Sequence, residues 1–174
     1  MPVPPTVDGR PASQQWWPDY GDIEGERLLI AQSIVAQVES IEFAYRTADP
    51  AGLLAVYDPG YADPAGWGLE YVRTAWDFFF KRFRPGPMHR QIRAWDFSKL
   101  ATEQRVDLRL YCRLQSKPID PPGAESPTDP IVFPAAPDGE ITLTFHRVGE
   151  RWLIVAMNPP LPRLDDWFPP LAPR

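Results

Sequence analysis

Residues 104–115 read QRVDLRLYCRLQ. Val106, Leu108, Leu110, Cys112 and Leu114 fall in one phase of this stretch, and Arg105, Asp107, Arg109, Tyr111 and Arg113 in the other. Successive side chains of a strand point to opposite faces. A period of two with apolar residues in one phase therefore predicts a strand with one face on a core and the other in water. A helix would need a period near 3.6, which this run lacks. Clean alternation of this kind is the mark of antiparallel sheet covered on one side.

The same period continues towards the C-terminus. Ile141, Leu143 and Phe145 oppose Thr142, Thr144 and His146, Gly149-Glu150 makes a tight turn, and 151–158 return as RWLIVAMN. A two-residue turn pairs Phe145 with Ile154 and Leu143 with Ala156. Trp152, Ile154 and Ala156 are then expected on the core face. Leu153, Val155 and Met157 project from the opposite face and call for a cover. The covers available are a second copy of the chain, making a homodimer through this sheet face, and a C-terminal arm carrying Leu161, Leu164, Trp167, Phe168 and Leu171. Residues 88–98 read as a further strand.

Before residue 84 the period is helical. Asp22 can cap a helix over 23–46, whose positions Ile34, Val38, Ile41 and Tyr45 form one apolar stripe. Asp49 and Pro50 suit the cap and first position of a short second helix holding Leu53, Leu54 and Tyr57. A third helix is predicted over 69–83, with Val72, Trp76, Phe79 and Phe83 buried and Arg84-Pro85-Gly86-Pro87 ending it. Helices followed by a meander of strands predict an α+β domain with helices packed on one side of a sheet.

Composition limits the partners. The chain has 174 residues, 44% of them apolar and 24% charged, with a net charge of -5. One domain with a real core is expected. An acidic chain without a basic run is a poor nucleic-acid ligand, and no stretch approaches the roughly 18 apolar residues of a membrane span. The single cysteine, Cys112, cannot form an internal disulfide, which agrees with a cytoplasmic setting. The two histidines, His89 and His146, have no neighbouring ligand, so neither a metal nor another cofactor is expected. Eighteen of the twenty-three prolines gather at 2–18, 118–137 and 159–173. They divide the chain into an N-terminal arm (1–22), a domain (23–158) with a loop insertion (116–138), and a C-terminal arm (159–174).

Three stretches together, YRTADPAGLLAVYDPGYADPAGWG, EYVRTAWDFFFKRF and FHRVGERWLIV, resemble the nuclear-transport-factor-like superfamily, the cystatin-like α+β cone. In local pattern they are most similar to the ketosteroid isomerases and polyketide cyclases. The resemblance covers about residues 24–158. It implies a strongly curved antiparallel sheet wrapped around the long helix, a cone-shaped barrel with an apolar pocket at its open end. The stripes that converge there make Ile41, Tyr45, Tyr57, Tyr61, Trp67, Trp76, Phe79, Leu110 and Ile154 the expected ligand-binding residues.

Asp63-Pro64-Ala65-Gly66 matches the segment that carries the general base in the isomerases, and a carboxylate at an apolar pocket suits proton removal beside a carbonyl. The same four residues also make a good turn. The family's oxyanion donors are not matched: the helical tyrosine position is Ile41, and ITLTFHR holds no carboxylic acid. Three readings follow. The first is a non-catalytic domain that binds a small apolar ligand or a protein. The second is a pocket isomerase, cyclase or dehydratase with Asp63 as base. The third is an accessory or assembly domain of a larger polypeptide or complex.

Overall fold

Helix α1 (Gly25–Arg46) turns the predicted stripe inward: Ile34 and Tyr45 are fully buried and Val38 nearly so, while Ile41 is half-buried. The computed structural model describes residues 20–119, 132–133 and 139–161. Most of both proline-rich arms and of the 116–138 loop lies outside these residues, as do Leu164, Trp167, Phe168 and Leu171. The helix starts two residues later than expected. Residues 20–23 close a turn of their own, in which the Ile23 N–H donates to the Tyr20 carbonyl at 3.1 Å. Glu24, not Asp22, occupies the cap position.

Helix α2 (Pro50–Leu54) begins as the sequence predicts, with Asp49 before it and Pro50 in its first turn, and buries Leu53. Helix α3 (Leu69–Arg82) buries Val72, Ala75, Trp76 and Phe79. Its aromatic stripe packs on α1. The Tyr45 ring lies 6.2 Å from those of Trp76, Phe79 and Phe80.

Strand β1 (Phe83–Asp96) follows without a gap. The Arg84-Pro85-Gly86-Pro87 break predicted from sequence is therefore the start of a strand, and Phe83 belongs to that strand and not to α3. The reason is position. β1 is an edge strand, paired with β2 (Arg105–Pro118) alone, and prolines are tolerated at an edge where their missing N–H faces away from a partner. A register shift between Pro85 and Met88 takes up the extra residue. A short helix, α4 (Leu100–Glu103), joins β1 to β2.

Strands β3 (Val132–Phe133), β4 (Glu140–Val148) and β5 (Arg151–Asn158) complete an antiparallel sheet in the order β1-β2-β4-β5. β4 pairs with β2 over Arg105–Tyr111, and β3 takes the same side of β2 at Leu114 and Gln115. The sheet curls into a half-barrel around α1, which touches both β1 and β5 at opposite ends of the strand order. The free side of β5 is capped by the loop after α2: the Ile154 N–H donates to the Val56 carbonyl at 2.8 Å and the Asp58 N–H to the Ile154 carbonyl at 2.9 Å.

The last hairpin corrects one expectation. Phe145 pairs with Ile154 as predicted, but a bulge follows, so Thr144 pairs with Ala156 and Leu143 with Met157. The bulge shifts the phase by one residue. Met157 thus joins Ile154 on the core face, 5% exposed, in place of Ala156. Leu153 is already buried within the chain. Of the expected outer stripe only the half-buried Val155 remains, and that residue alone is left to call for a second copy through this face. Among the described residues, no helix is long and apolar enough to cross a membrane.

Candidate functional site

A small cavity of about 60 Å³ lies between α1 and the concave face of the sheet. Val38 and Ile41 come down from α1, Leu53 and Tyr57 from the α2 segment, and Trp76 from α3. The floor is the inward phase of four strands: Met88 and Arg90 from β1, Leu110, Cys112 and Leu114 from β2, Ile141 and Leu143 from β4, and Ile154 and Met157 from β5. Leu161, just beyond β5, closes the rim. The alternation that predicts the strands is what supplies this lining, since each strand offers every second residue to the concave face.

Five of the nine residues expected to line a pocket meet there: Ile41, Tyr57, Trp76, Leu110 and Ile154. Four sit elsewhere. Tyr45 is core, and its hydroxyl accepts the Gly86 N–H at 3.3 Å. Phe79 is fully buried and stacked on Phe83, with centroids 5.2 Å apart. Tyr61 stands one layer behind the wall, edge-on to Tyr57 at 4.9 Å. Trp67 is 44% exposed and leans on Tyr71 at 5.1 Å.

Asp63 is not on the cavity wall. Its Oδ1 accepts the N–H groups of Ala65 at 2.9 Å and Trp67 at 2.8 Å, and its own N–H donates to the Trp67 carbonyl at 2.9 Å. Ala62 and Gly68 bridge across the base of this loop, and Gly66 takes a positive φ of 84°. The carboxylate therefore organises a turn, as aspartates commonly do two residues before a free N–H.

Besides the Trp76 indole, the lining holds three side chains with titratable groups, Tyr57, Cys112 and Arg90. Burial pushes the Tyr57 hydroxyl well above the usual phenol range, with Tyr61 adding to the shift. Burial pushes the Cys112 thiol up to about 12, against the opposing pull of Arg90. A thiol held neutral in this way is a poor nucleophile. Burial also lowers the Arg90 guanidinium from its usual value, and Glu42 works in the opposite direction. The Arg90 side chain is 4% exposed, donates to the Val38 carbonyl at 3.1 Å, and pairs with the Glu42 carboxylate.

Arg90 is the residue that sequence reasoning missed. Its signal was present: in Met88-His89-Arg90-Gln91-Ile92 the arginine falls in phase with Met88 and Ile92, where an inward-facing apolar residue belongs. Among the described residues no group of three or more histidine, cysteine or carboxylate side chains could hold a metal ion. His146 lies in the outward phase of β4, far from a role in the cavity.

Comparison with known proteins agrees with this geometry at the level of fold. No family model and no curated protein matches the sequence. Solved structures do. A proposed scytalone dehydratase from Novosphingobium aromaticivorans superposes with a TM-score of 0.58 at 15% identity, over 75% of this chain and 82% of that one. A conserved protein from Planctomyces limnophilus gives 0.57 at 13%, over 75% and 94%. A ketosteroid isomerase-like protein from Erwinia carotovora atroseptica gives 0.51 at 12%, over 72% and 91%. The chain has the nuclear-transport-factor-like fold. Identities this low carry the fold and not the chemistry.

Proposed function

We propose that this chain is a non-catalytic binding domain whose concave sheet face takes a small, mainly apolar ligand. The observation that supports this most is the separation of Asp63 from the cavity. The one carboxylate placed by sequence to act as a base is engaged by two N–H groups of its own loop, and the cavity wall is mainly apolar, its polar groups belonging to Tyr57, Trp76, Cys112 and Arg90. Proton abstraction beside a carbonyl needs a base within hydrogen-bond reach and donors for the developing oxyanion. Ile41 occupies the position where the isomerase pattern has a donor, and it contributes only hydrocarbon. The structural neighbours named for dehydratase and isomerase chemistry share the fold that makes such a pocket, which suits binding and catalysis alike.

The cavity is well below the roughly 150 Å³ of a dry apolar cavity that accepts benzene, so ligand size is itself part of the reading. The test is an amide NMR titration of the full chain with isobutane, cyclopentane and benzene, in rising size. Saturable shifts confined to the surroundings of Ile41, Leu110 and Ile154 are expected, strongest for the smallest probe, and Ile41→Trp should remove them by filling the space. No saturable shift with any of the three would overturn the reading.

A further inference from the structure

Arg90 stands in an inward strand position and lines a mainly apolar cavity, and its guanidinium is held by a partner that stands nearer to water than it does. We propose that Arg90 is the anion-receiving end of the cavity, and that the ligand is a small monocarboxylate whose head group replaces Glu42 as the counter-ion of Arg90. This rests on the reading of the cavity as a binding site and adds the chemical class of what enters it.

Three observations carry the proposal. The first is placement. Arg90 pairs across the strands with Cys112, between Met88 and Ile92 of its own strand, so its stem runs along the concave face and its head reaches the Val38–Glu42 turn of α1. A carboxylate bound there would keep its apolar body against Ile41, Leu110 and Leu114. The second is cost. Removing two charges from water is expensive, and a buried ion pair is often no more stabilising than apolar residues of similar volume. A bolt between α1 and β1 could be made of hydrocarbon, whereas recognition of an anion could not. The third is asymmetry. The Arg90 side chain is 4% exposed and the Glu42 side chain 19%. Glu42, the more exposed of the two, is the partner that can turn towards solvent. Arg90 cannot leave, and a planar guanidinium presents paired donors that match a carboxylate. The exchange is charge-neutral, since one carboxylate leaves the guanidinium as another arrives. It involves no bond making or breaking. The Cys112 thiol on the facing strand stays neutral and so does not repel the incoming anion.

The experiment titrates the full chain at neutral pH, by calorimetry and by amide NMR, with acetate, propionate and isobutyrate and with the neutral amide of each. The carboxylates are expected to bind at least about tenfold more tightly than amides of the same shape. Glu42→Gln removes the competing charge and should tighten carboxylate binding several-fold and widen the preference for carboxylate over amide. Arg90→Met should abolish the preference for carboxylates. A purely structural ion pair predicts the reverse for Glu42→Gln, which would then weaken or not affect binding, and either result overturns the proposal. Should Arg90→Met fail to fold, the wild-type comparison of acid with amide and the Glu42→Gln arm decide the matter alone. Equal binding of acid and amide, or binding of isobutane without binding of any carboxylate, defeats the role of Arg90 and leaves the cavity reading intact. Absence of binding by every probe, apolar ones included, defeats both.

Discussion

Asp63 and Arg90 stand in opposite relations to the local sequence around them. Asp63 lies in a pattern that serves two ends, since Asp-Pro-x-Gly builds a turn and also carries a base in proteins of similar local pattern. Sequence left both readings open, and only the acceptor geometry of its carboxylate separates them. Arg90 breaks a pattern, an arginine in the apolar phase of a strand, and that break was legible before any coordinates. It is masked because the rest of 88–98 does not alternate cleanly, with Met88, Ile92 and Ala94 in one phase and Trp95 and Phe97 in the other. A prediction follows for Asp63. Asp63→Ala removes the acceptor of two N–H groups at a partly exposed loop and should cost about 1 kcal/mol of stability in urea unfolding. Binding of cavity probes should be unchanged. Loss of probe binding in a folded Asp63→Ala protein would place the carboxylate in the site after all.

At the scale of elements, the strand pairs of the central sheet were readable wherever polar and apolar residues alternate. β2 is the clearest case, with every inward residue from Val106 to Leu114 buried. β5 is the least clear. Ile154-Val155-Ala156-Met157 is apolar throughout, so a slip of one residue leaves no polar side chain facing the core to reveal it. The bulge falls within that run. Its consequence is testable. Met157→Asp should destabilise the protein by about 3 kcal/mol or more, because it buries a carboxylate on the cavity wall. Ala156→Asp, on the outer phase beside Thr144, should be far milder. Urea unfolding of the two variants reads the register directly. The opposite order of stabilities would mean that β5 continues without a bulge. The prolines of β1 teach a related lesson, since local propensity argues against a strand that edge position permits.

The whole molecule joins a long helix to a curled sheet and leaves a small volume between them that neither fills. The curvature follows from strands of one sheet reaching α1 from both edges, and it could be anticipated from the order of helices and strands together with the family resemblance. The size of the cavity could not, because it depends on how fifteen side chains from eight segments interlock, and single residues such as Met157 change it. The central claim is that this volume accepts a guest. The most direct measurement is a crystal structure of the full chain under xenon pressure. The account predicts one ordered xenon atom against Ile41, Leu110 and Ile154, and none in an Ile41→Trp protein. A structure of the unsubstituted chain with that volume filled by its own side chains, and xenon bound only elsewhere, would contradict it.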